Sequence, residues 1–355
     1  MRAVNGLHLD YVSPAEYHAA RWGDVLGVAS FNGAAVDIPA HLATVPIAEV
    51  STPVLPPATD ICEVWRHGAP AQSGDRGRVR FRRSAELLFG CIAVPEGEAT
   101  ASDAALARPA THTALSPLHE ATTELYRQMC ATLDAEGYPY LLRVWNYVPD
   151  INRDSHGTER YRQFNSARQH ALQASGRPLK GCVPAASALG AAAGSPLVAY
   201  FLAARTAPTF VENPRQLSAY HYPRRYGTHS PVFSRATLMR QAQSLTLFIS
   251  GTASIVGHRS LHVGDVAAQT RETLTNIEAL LGEANRAAHG SHFTLGGLAC
   301  KVYVRRPADL PVIQAELSGV LGNEARAIYL KADICRQDLL VEIEATGISP
   351  LATCG

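Results

Sequence analysis

Leu245-Thr-Leu-Phe-Ile-Ser-Gly251 followed by Asp265-Val-Ala-Ala-Gln-Thr-Arg-Glu-Thr-Leu-Thr-Asn-Ile277 decides how the rest of the chain is read. The first stretch is a short apolar run stopped by Ser250-Gly251, the pattern of a buried strand ending in a tight turn. In the second, Val266, Thr270, Thr273, Ile277, Leu280 and Leu281 recur at three- and four-residue steps, so Asp265 to Leu281 is an amphipathic helix. Asp265 is placed to cap it, because a carboxylate there accepts from the first free backbone N–H groups. Downstream, Gly296 to Val304 reads as a strand and Ala308 to Gly319 as a helix opened by Pro307. Ala327 to Ala332 and Leu339 to Ala345 read as two further strands. The unit runs strand, helix, strand, helix, strand, strand.

Moving toward the N-terminus, a similar order returns. Leu87 to Val94 is an apolar run, and Leu118, Thr122, Leu125, Met129 and Leu133 mark a helix that Gly137 is placed to end. Tyr140 to Val148 is then a strand, Glu159 to Ala171 a helix and Leu197 to Ala203 a strand. Two copies of one unit fit this pattern. The expected class is α+β, with each unit a mixed sheet carrying helices on one face. The expected boundaries are a first unit at 1–205 with an irregular N-terminal extension, a connecting segment at 206–234, and a second unit at 235–355. Tyr220, Tyr222 and Tyr226 are more aromatic than a linker needs, so the connecting segment is expected to fold over a pocket.

Composition narrows the function. The chain has 355 residues, 46% hydrophobic and 18% charged, with a net charge of +1, which gives no electrostatic reason to expect nucleic acid as a partner. No apolar run reaches the ~18 residues a membrane span needs, and Met1 to Asp10 lacks a basic-then-apolar leader, so no membrane partner and a cytoplasmic location are expected. The seven cysteines are scattered without a CxxC pair and read as reduced thiols, with no metal site expected. Walker A, GxGxxG, HExxH and GxSxG patterns are missing from the sequence.

Ser230-Pro-Val-Phe-Ser-Arg-Ala236, Leu247-Phe-Ile-Ser-Gly251, the Asp265 to Ile277 helix and Val341-Glu-Ile-Glu-Ala345 resemble, in order, four motifs of the Rid/YjgF family. In tandem with Tyr161-Arg-Gln-Phe-Asn-Ser-Ala-Arg168, Ser250-Gly-Thr-Ala-Ser254 and Cys335-Arg-Gln-Asp-Leu-Leu-Val-Glu342, the chain is similar to the chorismatases. The resemblance implies two tandem Rid/YjgF-like (chorismate-mutase-like) units with a site where they meet. It also implies release of pyruvate from chorismate without a cofactor.

Chorismate is a dianion with an enol ether, so its site needs cations for two carboxylates and an acid with a raised pKa. Glu342 and Glu344 alternate along a strand and point the same way. Taken alone, that pattern describes the wet face of an antiparallel sheet; the resemblance makes Glu342 the proton donor. Arg326 stands where the Rid family keeps a carboxylate-binding arginine, offset by one residue. Arg162, Asn165 and Arg168 share a helix face, usually a solvated one. The resemblance turns Asn165 and Arg162 toward the second unit's pocket. Arg205 and Arg235 supply further cations, and Tyr220, Tyr222, Tyr226 and Phe233 offer walls for the ring.

Gly251 and Thr252 open the segment expected to shape the pocket, and the resemblance places Cys335 where members forming 3-hydroxybenzoate carry a cysteine. The resulting expectation is conversion of chorismate to 3-hydroxybenzoate, with 4-hydroxybenzoate as a further product. A chorismate hydrolase giving 3,4-dihydroxycyclohexa-1,5-dienoate, a Rid-like enamine or imine deaminase and a non-catalytic binding protein remain as alternatives. A monomer is favoured over a trimer.

Overall fold

The structure is a computed structural model, and it describes residues 6–13, 24–31, 44–97, 115–289, 293–322 and 326–351. Near the N-terminus, β1 (Leu7–Val12), β2 (Val25–Phe31), β3 (Ile47–Val50) and β4 (Cys62–His67) form a four-stranded sheet in the order β1-β4-β2-β3. The first repeat contains β5 (Gln72–Arg76), β6 (Val79–Arg83), β7 (Leu87–Val94), α1 (Pro117–Glu136) and β8 (Tyr140–Pro149). A small hairpin, β9 (Asp154–Ser155) and β10 (Thr158–Glu159), leads into α2 (Arg160–Ala174), and β11 (Ala185–Ala191) and β12 (Leu197–Ala204) finish the repeat.

The second repeat contains β13 (Thr209–Val211), β14 (Ala236–Arg240), β15 (Ser244–Thr252) and a hairpin of β16 (Ile255–Val256) and β17 (Arg259–Ser260). It continues with α3 (Val266–Ala287), β18 (Leu298–Val304), α4 (Leu310–Leu321), β19 (Arg326–Lys331) and β20 (Val341–Pro350). The two six-stranded sheets have the orders β11-β8-β12-β7-β6-β5 and β13-β14-β15-β20-β18-β19, which match strand for strand when one is reversed. In each, one pair is parallel, β11 with β8 and β19 with β18, and the remaining pairs are antiparallel.

Local chemistry starts and stops the helices where the sequence expects. Ser116 accepts from the His119 N–H at the head of α1, Pro117 occupies the first turn, and Gly137 ends the helix at φ 75°, a conformation that costs glycine nothing. Asp265 accepts from the Ala268 N–H and caps α3. The apolar stripes of α1 and α3 then bury against their own sheets, with Leu125 and Met129 packing in the core that includes Ile92 and Phe201, and Ile277 and Leu281 in the core that includes Leu247 and Val302.

The opposite faces of all three sheets meet in a central core. Phe31 and Trp65 come from the N-terminal sheet, Phe89, Trp145 and Tyr200 from the first repeat, and Phe248 and Tyr303 from the second. The ring is closed at its seams by backbone groups. Ala186 N–H donates to Ser250 Oγ at 2.9 Å, Leu55 N–H donates to the Tyr329 carbonyl at 2.8 Å, and Arg82 donates to the Val25 carbonyl at 2.7 Å. The N-terminal extension expected to be irregular is largely sheet: β5 and β6 join the first repeat's sheet, and the four strands within residues 7–67 form a sheet of their own. Its central strand β2 is buried along its whole length, with Leu26 and Ala29 toward the barrel and Val25 and Val28 in a small outer core, so its residues carry no alternation to read.

Candidate active site

Strand β20 opens with Val341-Glu-Ile-Glu-Ala345, all buried. Val341, Ile343 and Ala345 face the core under the helices of the second repeat, which turns Glu342 and Glu344 toward the inside of the ring. These two carboxyls meet opposite environments. Glu344 accepts from Lys301 Nζ at 2.8 Å, Trp145 Nε1 at 2.7 Å, Arg143 Nη2 at 2.7 Å and Ser187 Oγ at 2.7 Å. Glu63 of the N-terminal sheet lies 2.5 Å from the same Lys301, so two anions and two cations balance inside the barrel. Despite its burial, Glu344 is held below the ordinary carboxylate range by Lys301 and Arg143.

Glu342 lacks such donors. Its one hydrogen-bonding contact among the described residues is Cys335 Sγ, 4.0 Å away. Burial, reinforced by the charge of Glu344, pushes its pKa up to about 8, against the weaker pull of Arg143, Arg305 and Arg235. One strand thus presents a fixed anion and, two residues away, a carboxylic acid still protonated at neutral pH, the division of labour that acid catalysis requires. Cys335 is half-buried, and desolvation in the cavity wall pushes its thiol up to about 12, so it faces Glu342 as a neutral S–H and not as a thiolate nucleophile.

Glu342 opens into a cavity of about 860 Å³, within the size range of ligand sites. The first repeat contributes Tyr161 and Arg162 from the start of α2; the connecting segment contributes Tyr222, Tyr226 and Phe233; the second repeat contributes Arg235, Gly251, Cys335 and Arg336. Gly251 is needed for space: a Cβ there would stand 1.9 Å from Glu342 Oε1. Arg235 donates from Nη2 to the Leu217 carbonyl at 2.7 Å and to the Tyr222 hydroxyl at 2.9 Å. Arg336 donates to the His258 carbonyl at 3.0 Å and lies over the rings of Tyr226 and Tyr222, at 4.2 and 5.2 Å. Each guanidinium keeps one buried N–H without a partner among the described residues, Nε of Arg235 and Nη2 of Arg336.

The structure brings together Glu342, Cys335, Arg162, Tyr222, Tyr226, Phe233, Arg235 and Gly251 around this cavity. Other expected residues lie elsewhere. Asn165 is buried beside the site and accepts from Arg168 at 2.9 Å, and Thr252 donates to the Ser250 carbonyl at 2.9 Å. Tyr220 packs against the core under α1 and α2. Arg205 donates to the carbonyls of Ala85, Glu136 and Gly137 and stacks on Tyr138, so it fastens the end of α1 to its sheet.

Arg326 is displaced by register. It pairs with Ala299, which is level with Thr346, whereas Glu342 is level with Tyr303 and Leu330 at the far end of the sheet. Its guanidinium instead holds the Leu9 carbonyl at the seam with β1. The residues missed from sequence are Arg336, hidden in a polar Arg-Gln-Asp turn, and Tyr161, Arg143 and Lys301. Nothing local marks Arg143 or Lys301, since their partners are remote in sequence. Among the described residues, no group of three or more His, Cys, Asp or Glu could hold a metal ion, and no helix is long and apolar enough to cross a membrane.

The model of the family described as Chorismatase FkbO/Hyg5-like, N-terminal, matches residues 63–203. The chain is 38% identical to a 3-hydroxybenzoate synthase from Streptomyces hygroscopicus over 82% of each chain. It belongs to the chorismatase family. A chorismatase of Streptomyces rapamycinicus is 39% identical over 79% of this chain and 80% of its own length. A crystal structure of a chorismatase superposes with a TM-score of 0.83 at 32% identity, covering 97% of this chain and 98% of that one. Membership in the family thus spans all three sheets of the ring, and the chain is an enzyme with the α+β architecture of two tandem mixed-sheet units.

Proposed function

We propose that this chorismatase converts chorismate to 3-hydroxybenzoate and pyruvate, with Glu342 as the acid. The observation that carries the reading is the pairing of a buried, cation-poor carboxyl with arginines that have uncommitted N–H groups in one cavity. Arg235 and Arg336 are suited to hold one substrate carboxylate, and Arg162, half in solvent and 3.6 Å from Glu159, the other at the mouth. Tyr222, Tyr226 and Phe233 would flank the ring.

Glu342 delivers its proton to the enolpyruvyl methylene, which becomes the methyl group of pyruvate, and the adjacent carbon becomes an oxocarbenium centre. Capture of that centre within the substrate weakens the ring C–O bond. Pyruvate leaves, and the proton the ring gives up on becoming aromatic returns to the Glu342 carboxylate. Products and substrate contain the same atoms, so no water is consumed and no cofactor is required. The relative named 3-hydroxybenzoate synthase supports this branch. So does the neutral Cys335 thiol beside the acid, which fills space there without competing as a base.

We also infer a monomer, because all three sheets that face the central core come from one chain, and a cytoplasmic location, since every cysteine among the described residues is free. Incubation with chorismate, with pyruvate assayed and ring products identified by mass, tests the proposal beside Glu342→Gln. Pyruvate with 3-hydroxybenzoate, lost in the variant, is the expected result. A dihydroxycyclohexadienoate would move the enzyme to the hydrolytic branch, and turnover by Glu342→Gln at the wild-type rate would remove Glu342 from its role.

A further inference from the structure

Beside the Glu342 carboxyl, adjoining the main cavity and sharing Tyr161, Phe233, Gly251 and Cys335 with it, lies a chamber of about 30 Å³ whose further wall is Arg168 and Ser187. Roughly 10–15 Å³ of such space is enough for one water, provided that polar groups converge on it. Arg168 is one of them. It is 2% exposed, donates from Nη2 to Asn165 at 2.9 Å and lies 5.1 Å from the centre of the Phe164 ring, yet its Nε–H has no partner among the described residues. Ser187 is already committed, accepting from Arg143 and donating to Glu344. On the other side of the chamber, the Glu342 carboxyl has only the distant Cys335 thiol. A buried cationic donor and a carboxyl short of donors therefore face one water-sized space.

We propose that one bound water joins them, accepting from Arg168 Nε–H and donating to the carbonyl oxygen of the protonated Glu342. A carboxylic acid has one oxygen that donates and one that accepts. If the water occupies the accepting oxygen, the O–H is left on the other oxygen, free to protonate the methylene carbon. Arg168 is thus a positioning residue that acts through the water. The inference rests on Glu342 being the acid of the proposed reaction.

Two experiments decide it. In a crystal structure of the wild-type protein, an ordered water is expected within hydrogen-bonding distance of both Arg168 Nε and a Glu342 oxygen. A water touching only one of them, a chloride, or no ordered density overturns the proposal. This arm involves no turnover, so a water seen there together with an active Glu342→Gln would sink the acid assignment and leave the water standing. The second experiment is Arg168→Met.

The groups facing Glu342 are Glu344 from its own strand, Arg143 from β8, Arg305 beyond β18, Arg235 ahead of β14, Cys335, and Tyr161 and Arg168 from α2. Losing the α2 cation and its water disfavours the carboxylate form. The alkaline limb of the kcat/KM profile should then move up from about 8, while kcat falls on the order of 10- to 100-fold at little cost in KM. A wild-type kcat and an unmoved limb overturn the proposal. So does a uniform loss of both parameters with an unmoved limb, which is the mark of a purely structural role.

Discussion

The two repeats share one topology and differ in what they aim at the centre of the ring. In the second repeat, β20 sets Glu342 opposite Tyr303 and Glu344 opposite Lys301. In the first, the matching strand β12 sets Val198 opposite Tyr147 and Tyr200 opposite Trp145. Both pairs of positions face the barrel interior. The backbone therefore tolerates either chemistry there, and at these positions only the second copy carries carboxylates and a lysine. The first repeat serves that copy from outside: Arg143, Trp145 and Ser187 hold Glu344, and α2 supplies Tyr161 and Arg162 to the cavity. On the proposed assignment, catalytic capacity is a property of the seam between unlike copies, and neither repeat holds it alone.

The largest effect that would test this division is expected from Glu344→Gln. It leaves Lys301 and Arg143 sharing one buried anion, Glu63, and removing one partner of a buried ionic set typically costs ~3–5 kcal/mol. Thermal unfolding should shift accordingly. With the neighbouring charge gone, the Glu342 pKa drops, so any remaining activity loses its alkaline limb at a lower pH than wild type. A stable variant with an unmoved limb would break the idea that the two carboxyls are electrostatically paired.

Glu342→Gln comes next, in two opposite directions. Activity should fall on the order of 10²- to 10⁴-fold, while stability rises. The sign follows from linkage. Glu342 is an acid of about 8 in the folded protein and near 4.5 when unfolded, so its favourable contribution is complete below 4.5 and is lost as pH climbs toward 8. Gln never ionises and escapes this loss, a gain on the order of 3 kcal/mol at pH 7 at ~1.4 kcal/mol per pH unit. Melting curves at pH 5 and pH 8 should show the variant's advantage widening with pH; a constant difference would contradict the buried-acid assignment.

A smaller effect is expected from Gly251→Ala, whose methyl would land 1.9 Å from Glu342 Oε1 and push the carboxyl from its place. A loss on the order of 10- to 100-fold in kcat is expected, with the fold retained. The smallest effect belongs to Arg205→Ala: a cost of about 1 kcal/mol from releasing the carbonyls at the end of α1, and kcat/KM within about twofold of wild type. A large catalytic loss there would return Arg205 to the site.

Much of this architecture can be read along the chain, and the limits of that reading have physical causes. The helices were legible because α1 and α3 carry apolar stripes and conventional caps. Strand β11, Ala185–Ala191, left no trace, since alanine, serine and glycine around a single leucine have little β propensity. Its residues are small because the seam is tight; a Cβ on Gly190 would meet Asp333 at 2.8 Å. Glu342, the proposed acid, was visible through its strand pattern and the family resemblance. Arg162 and Arg235, on the cavity wall, were named too, whereas Arg143 and Lys301 were not, because spacing along a strand does not reveal register between strands. Arg326 was expected at the site from its match to the Rid family and lies at the other end of the sheet, while Arg336, one residue after Cys335 and on the cavity wall, was not singled out.

Closure of the ring by a single chain has a consequence for mass action. Glu63 of the N-terminal sheet, Trp145 of the first repeat and Lys301 of the second meet without any association step between separate molecules. Concentration therefore has no hold on the encounter that builds the site. Specific activity should stay level as the protein is diluted, where a ring assembled from separate subunits would come apart and lose its acid.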